Sequence, residues 1–587
     1  MILQALIGYA QRENLGDPDF EFVGVRWLVS LTSQGMLAGD PIPLSENSEE
    51  KKPRPKQLWR PFTSPNELNQ GTKSHFLCDT LERAILLLDP KAADKAEARR
   101  VQHLYFQNLL AEAASAVPTE KGQISAVLSL LGDQARMGLL RDKFTAAKAK
   151  PSDNVTFSVE GRLLLNSEAL RQFWRDRRKN QESTATTREL RVCVASGEMS
   201  QTLDTTEKIR GVPGGLAMGT NLISFDKEAF CSFGLEQAQN AALSPAAELK
   251  MRSALNALIE KSRSQGLVFN ETVHLHWSRE PLATEDPMDL LAKADSEAVA
   301  SLLKSVQSGD RYIGLDANAY YALSLSGNGA RIVVRDWLES TVPEVQENIA
   351  DWFNDLALVL PDGSGVKRDF KFGALLYGMV RADLSELSPQ IPTQLLHAAL
   401  RGRTTPLPQS ALAAALRRQQ IDQDNKLDPP RLALIKACLL RLPNVSKNLN
   451  STNETMSECL NPEYHDAAYL CGRLFAVFDR LQFLALGGVN AGVVERYYAS
   501  ASVTPSLVMG RLFRNAQFHL AKAGGGMAEN VRKDFEEITC ALGDRFPSTL
   551  NLESQGRFAL GYYHQKAEYR RRTAERKEQQ AIETAST

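Results

Sequence analysis

Asn461-Pro-Glu-Tyr-His-Asp-Ala-Ala-Tyr-Leu-Cys-Gly-Arg-Leu-Phe-Ala-Val-Phe-Asp-Arg480 and, near the end of the chain, Phe558-Ala-Leu-Gly-Tyr-Tyr-His-Gln565 are the two stretches on which the fold is read. In the first, Leu474, Phe475, Val477, Phe478, Leu481 and Leu484 recur at helical spacing, which makes one apolar stripe and leaves Arg480 outside it. Working outward, the pattern is helical from about Pro343 to the end. It is interrupted at Pro389 to Pro392, Pro406-Leu-Pro408, Pro429-Pro430 and the polar stretch Asn444 to Glu458, which reads as a linker. Residues 456–587 are therefore expected to fold as an all-α bundle. Its basic set, Arg473, Arg480, Arg496, Arg511, Arg514 and Lys522, is opposed only by Asp479 and Glu495 over the same span.

Upstream, Val23, Val25, Trp27, Val29 and Leu31 alternate before Ser33-Gln34-Gly35, the pattern of a strand entering a hairpin turn. Residues 76–148 are mostly helical by period. A second β-rich stretch begins near Val155 and runs through Arg191-Val-Cys-Val194, Val268 to Trp277 and Arg331-Ile-Val-Val334, with helices such as 245–262 between the strands. The expected fold class is α+β: mixed β-rich N-terminal and central modules with inserted helices, then an all-α C-terminal bundle. The boundaries fall at 1–150, 151–341, 342–455 and 456–587. A chain of 587 residues with 43% hydrophobic content is long enough for two to four such domains.

Charge narrows the field by its absence. With 69 Lys and Arg against 70 Asp and Glu, the chain has no global footprint for an acidic or nucleic-acid partner, so function must be read locally. The start, Met1-Ile-Leu-Gln-Ala-Leu-Ile, lacks a basic leader region, and no run of about 18 apolar residues occurs, so a cytoplasmic protein without membrane contact is expected. Seven cysteines without a C-x-x-C pair point to free thiols.

Two local signals carry chemistry. Lys51-Lys-Pro-Arg-Pro-Lys-Gln-Leu-Trp-Arg-Pro61 sets Lys51, Lys52, Arg54, Lys56 and Arg60 on a proline-stiffened loop with no acid, suited to phosphate contact at little ordering cost. Then Asn66-Glu-Leu-Asn-Gln-Gly-Thr-Lys-Ser-His75 gathers Asn66, Asn69, Gln70, Thr72 and Lys73, amides and hydroxyls able to read base edges, around a permissive Gly71. Arg171-Gln-Phe-Trp-Arg-Asp-Arg-Arg-Lys179 is either a phosphate-facing helix or an ordinary amphipathic helix end. Gly211-Val-Pro-Gly-Gly-Leu-Ala-Met-Gly219, preceded by Lys208 and Arg210, can turn its amides to an anion but is not a nucleotide loop, having neither Gly-Lys-Ser/Thr nor G-x-G-x-x-G. His274 and His276 share a strand face without a recognisable third ligand. No catalytic residue, metal site or cofactor is expected, and the rival to this view is a metal-dependent nuclease.

The C-terminal stretches quoted above resemble the large subunit of the type I-C CRISPR Cascade effector, a Csd-type CRISPR-associated protein. So do Asn69 to Pro90, Ile209-Arg-Gly-Val212 running into Asn221-Leu-Ile-Ser-Phe-Asp226, Ser232-Phe-Gly234 with Gln237, Asn240 and Ala241, and Val334 to Val342. One departure is Thr206, where the family often has His. The resemblance implies a non-catalytic subunit of a crRNA-guided ribonucleoprotein in antiviral defence. Such a subunit recognises the protospacer-adjacent motif in double-stranded DNA, promotes unwinding and R-loop formation, steadies the displaced single strand and helps recruit a helicase-nuclease. Implied partners are crRNA, target DNA, the backbone and crRNA-end subunits, a small subunit and the helicase-nuclease. It also implies a fused small-subunit-like C-terminal bundle, often made separately from an internal start, for which Met456 is placed. Arg480, Arg496, Arg511 and Arg514 would then track DNA. A pure protein scaffold without DNA contact is the second rival.

Overall fold

Val25, Trp27, Val29 and Leu31 are all buried, as their alternation requires, but they do not lie on one continuous strand. The chain breaks at Arg26 into β1 (Phe20–Val25) and β2 (Trp27–Leu31), which join different sheets. This computed structural model describes all residues except 18, 46–54, 64–67, 69–70, 90–94, 184–189, 283, 309–317, 423–425, 443–455, 545 and 586–587. The described chain forms two compact units, one built from residues 3–207 and 223–254, the other from 208–222 and 255–587.

In the first unit, α1 (Ile2–Arg12) precedes β1 and β2, which are followed by β3 (Ile42–Pro43), β4 (Lys56–Pro61), β5 (Cys78–Thr80), β6 (Asn154–Val159) and β7 (Arg162–Leu163). The main sheet runs β3-β2-β6-β5, with β7 on β6, and β2 pairs β6 in parallel from Trp27↔Val155 to Leu31↔Val159. Parallel neighbours need a long crossover. Helices α2 (Leu81–Ala84), α3 (Ala96–Ala116), α4 (Lys121–Gly132) and α5 (Gln134–Ala146) supply it and cover the sheet through Phe106, Leu110, Val127 and Phe144. Gly35 closes the turn after β2 with φ +75, and a Cβ there would sit 2.5 Å from the Ala126 carbonyl oxygen, so the turn lies directly on α4. The stretch expected as an extended loop is in its second half a strand: β4 pairs antiparallel with β1 from Phe20↔Pro61 to Val25↔Lys56. Helix α6 (Glu168–Ser183) and the ribbon β8 (Leu190–Val192) with β9 (Met199–Gln201) complete this part, and α7 (Pro245–Ser264) leads out of it.

The second unit opens with an antiparallel meander, β10 (Val268–Phe269), β11 (Thr272–Ser278), β12 (Ala319–Asn328) and β13 (Arg331–Thr341). Every residue of β11 is buried, as a central strand covered on both faces demands. Helices α8 (Pro287–Lys293), α9 (Ser296–Ser308), α10 (Val342–Leu356), α11 (Phe372–Tyr377), α12 (Gln390–Arg401), α13 (Gln409–Ile421) and α14 (Pro429–Leu440) follow, with a short hairpin β14 (Leu358–Val359) and β15 (Val366–Lys367) between α10 and α11. The bundle α15 (Ala467–Leu486), α16 (Val493–Ala501), α17 (Pro505–Lys522), α18 (Gly526–Leu542) and α19 (Leu552–Ala585) ends the chain, so the α+β class with a helical C-terminal part holds.

The two segments that opened the sequence reading meet in α15 and α19. A Cβ on Gly472 would lie 2.0 Å from the Phe558 carbonyl oxygen, and one on Gly561 2.1 Å from that of Tyr469, so the helices cross backbone to backbone. Around the crossing, the Tyr469 hydroxyl lies 3.0 Å from His564 Nδ1, and Arg473 donates to Gln565 at 3.0 Å. Arg473 is 2% exposed and pairs with Glu537, which removes it from the basic surface expected of this bundle. Helix α19 serves two cores: Leu560, Tyr563 and Ala567 pack with residues of α10 to α14, while Phe558, Tyr562 and Tyr569 pack with α15 to α18. Packing thus continues across 341/342 and 455/456. No helix among the described residues is long and apolar enough to cross a membrane, and all seven cysteines are free thiols.

The crossing predicts opposite outcomes for two glycine replacements. Gly472→Ala lowers the unfolding free energy by about 2 kcal/mol or more, because the added methyl overlaps a carbonyl that cannot retreat. Gly510→Ala, in α17 with nothing within 4 Å of its Cβ position, raises it by up to about 1 kcal/mol through helix propensity. Urea melts of the two variants check both signs.

Candidate nucleic-acid interface

Lys56 opens β4 with an exposed side chain. Arg60, on the same strand, is 7% exposed. The antiparallel register sets it opposite Glu21, to which it donates from Nε at 3.2 Å and from Nη2 at 2.5 Å. Arg60, expected as a phosphate anchor, thus has its charge matched inside the ribbon by Glu21. The acid that neutralises it stands far upstream and is adjacent only through the register. Lys51, Lys52, Arg54, Asn66, Asn69 and Gln70 lie outside the described residues. Thr72 is exposed next to Gly71, whose φ is +78, and Lys73 is half-buried and partnered.

Behind this segment the Asp79 carboxylate is fully buried. It accepts the N–H groups of His75 and Thr80, each at 2.7 Å, and pairs with Arg83 at 3.3 Å, which pins the segment's downstream end. Burial, helped by the cations of Arg60 and Arg83, pulls His75 well below the usual imidazole range, so it is neutral there. The same ribbon carries a pair the sequence reading passed over. Phe22 and Trp59 face each other across β1 and β4 with ring centroids 4.0 Å apart, and Phe22 is 49% exposed. A partly exposed aromatic pair of this kind offers a ring face on which a base can stack.

The basic run of α6 resolves in favour of the ordinary amphipathic helix. Arg171 pairs with Glu168, Arg175 with Asp17 and Glu168, Arg177 with Glu112, and Arg178 with Asp19. Trp174 is buried and stacks on Phe76 at 5.5 Å.

The glycine-rich segment in the second unit behaves differently. Residues 208–222 form a hairpin closed by a bridge between Ile209 and Thr220, and it is sewn to the turn between β12 and β13 by bridges Gly215↔Gly329 and Asn221↔Arg331. The Gly327 N–H donates to the Pro213 carbonyl at 2.7 Å. A Cβ on Gly327 would lie 2.2 Å from the Gly215 nitrogen, so only glycine permits this approach. The tip projects Leu216, 46% exposed, and Met218, 70% exposed. Lys208, Arg210, Arg263 and Arg335 are exposed and make no ion pair among the described residues; Arg263 donates to the Gly211 carbonyl at 3.0 Å and Arg335 to Ser326 at 2.7 Å. The result is a rigid finger with an apolar end and unneutralised cations.

In the C-terminal bundle, Arg496, Arg511 and Arg514 are exposed on α16 and α17, and the Arg511 guanidinium lies 6.0 Å above the Tyr497 ring. Arg480 is half-buried, 5.5 Å from the centre of the Phe483 ring. The histidine pair separates by role. His274 lies 2.8 Å from the Ser324 hydroxyl, and burial pulls it down to about 3. His276 Nε2 lies 3.5 Å from Asp286 and 3.3 Å from Asp289. Those acids sit at the start of α8, invisible to local spacing around the strand. Lys261 Nζ, 3.3 Å from the same nitrogen, already brings a cation into the group. Asp286 also accepts from the Tyr320 hydroxyl and caps α8 through Met288 N–H. The fold thus brings His276, Asp286 and Asp289 together beside Lys261, their ligand atoms within 4.8 Å of one another, and leaves the buried His276 Nδ1 without a hydrogen-bond partner among the described residues.

No curated protein matches the chain. Residues 7–570 match the family described as CRISPR-associated protein Csd1. That span takes in the buried ribbon, the glycine finger and the α15–α19 crossing together, and the chain belongs to this family of Csd-type Cascade large subunits.

Proposed function

We propose that this chain recognises the protospacer-adjacent motif in duplex DNA as the large subunit of a type I-C crRNA-guided complex, promotes unwinding and R-loop formation, and helps recruit the helicase-nuclease. The observation that carries the reading is the finger at 208–222, which exposes Leu216 and Met218 at its tip and carries Lys208 and Arg210, with Arg263 held on Gly211 and Arg335 on the adjoining β13, none with an ion-pair partner among the described residues. Unneutralised cations draw phosphates and release counterions. An apolar tip held by close backbone packing can enter a base step and unstack it. Base pairing with the guide carries sequence information, so the protein itself needs only a short motif reader, phosphate contacts and a wedge. In the first unit, Phe22 and the exposed Thr72 are further candidate contacts, and Lys56 is a candidate phosphate contact. Arg480, Arg496, Arg511 and Arg514 serve the displaced strand, and crRNA with the backbone, crRNA-end and small subunits completes the cytoplasmic assembly.

Replacing Lys208, Arg210 and Arg263 together by Gln should flatten the slope of log affinity against log salt for duplex binding by about 2 to 3 units. A slope identical to that of the parent chain would remove the finger from the interface. Arg60→Gln should act on stability instead, lowering it by about 2 kcal/mol as Glu21 loses its partner, with the salt slope unchanged in the same titration. We further propose that the chain binds without cutting: the purified protein with magnesium leaves duplex and single-stranded DNA intact on a denaturing gel, and cleavage products would restore the nuclease reading.

A further inference from the structure

The loop between the glycine finger and α7 holds Phe233 with its side chain wholly in solvent, at 101% relative exposure. Phe233 and Gly234 are the central residues of a tight turn closed by the Leu235 N–H to the Ser232 carbonyl at 2.9 Å. Both have positive φ, +54 and +70. A turn with two left-handed central residues favours Asn, Asp or Gly at the first of them, and a phenylalanine there costs about 1 kcal/mol. The surroundings enforce this conformation. The Asn240 side chain accepts the Ser232 N–H at 2.8 Å and donates to the carbonyls of Leu235 and Gln237, both at 3.0 Å. Glu236 and Gln239 form a reciprocal cap, and the Ala238 N–H is tied to the Asp204 carbonyl at 3.0 Å. A bulky aromatic kept in a strained conformation, and denied burial, contributes nothing to folding; such strain collects where a partner is met.

The same module shows a second unpartnered surface. Leu190, Val192, Val194 and Met199, each between 46% and 60% exposed, alternate along β8, its continuation and β9. The Val194 N–H bonds the Ala242 carbonyl at 2.8 Å, so the ribbon and the base of the Phe233 loop share one small core with Cys193, Leu243 and Ala247. Charge decides what kind of partner fits. Beside the turn, Asp226, Glu228 and Glu236 outnumber Lys227, and Glu228 and Glu236 are exposed. This surplus of acid repels a phosphate backbone and suits a protein surface with basic residues around an apolar pocket.

We propose that Phe233, with the exposed face of β8 and β9, is the anchor by which this chain docks onto another protein subunit of the effector, one that offers an apolar pocket rimmed by Lys and Arg. Aromatic anchors on preorganised turns are the residues that dominate such interfaces. The proposal rests on the chain working within a multi-subunit complex, but not on its reading of DNA.

The test uses the full chain and the remaining effector subunits assembled on crRNA, with association measured by interferometry in the absence of target DNA. Phe233→Gly releases the left-handed strain while deleting the ring. It is expected to melt at the same or a higher temperature than the parent and to bind the subcomplex at least tenfold more weakly, with the duplex-DNA affinity of the isolated chain unchanged. Phe233→Asn, also tolerant of this conformation, should behave alike, and Glu228→Lys should weaken association further. Association within twofold of the parent for both Phe233 variants overturns the proposal. So does intact assembly with lost nucleic-acid affinity, which would make Phe233 a base-stacking residue. Because no DNA enters the association measurement, failure of the DNA-recognition reading leaves this outcome readable.

Discussion

The crossing of α15 over α19 at Gly472 and Gly561 is the contact on which the second unit depends. Each glycine places its backbone against the other helix's carbonyls, at distances that no side chain permits. That approach brings Tyr469 to His564 and Arg473 to Gln565, so polar groups that would be penalised in an apolar core find partners at the crossing itself. His564 is pulled down to about 3 by burial, with the Lys436 and Arg473 cations adding to it, and stays neutral inside the contact. From there α19 reaches two cores at once, which is why the helices before and after residue 456 are packed as one body.

A comparable constraint governs the site. Positive charge is abundant along the chain, and several of the cations singled out above are answered by acids. Arg60 is taken by Glu21 across a β register, the arginines of α6 by Asp17, Asp19, Glu112 and Glu168, and Arg473 by Glu537. In the helical core of the second unit, Arg441 and Arg403 both close on the buried Asp355, each at 2.8 Å. Paired cations of this kind hold the fold and offer little to a phosphate. At the finger 208–222, Arg263 and Arg335 are instead positioned by a backbone carbonyl and a hydroxyl, which do not neutralise them.

Exposed apolar residues divide along similar lines. Leu216 and Met218 sit among cations, whereas Phe233 sits among acids. The two exposed turns therefore differ in the charge around them. Both turns are held by backbone hydrogen bonds and contain residues with positive φ.

By itself the sequence determined what depends on period and composition: the strand alternation through Leu31, the helical stretch from Pro343 onward, the strands at 268–277 and 331–334, the absence of a disulfide framework, and the resemblance carried by 461–480 and 558–565. These are local properties, since a side chain's place on a helix stripe or strand face follows from spacing alone. Only the tertiary structure decided which cations are available. It paired Arg60 with Glu21, buried Arg473, drew Asp286 and Asp289 to His276, and left Lys208, Arg210, Arg263 and Arg335 without an ion-pair partner among the described residues. The physical reason is that electrostatic pairing acts through space over a few ångströms, while the residues that meet are set by strand register and helix crossing, which join positions tens of residues apart.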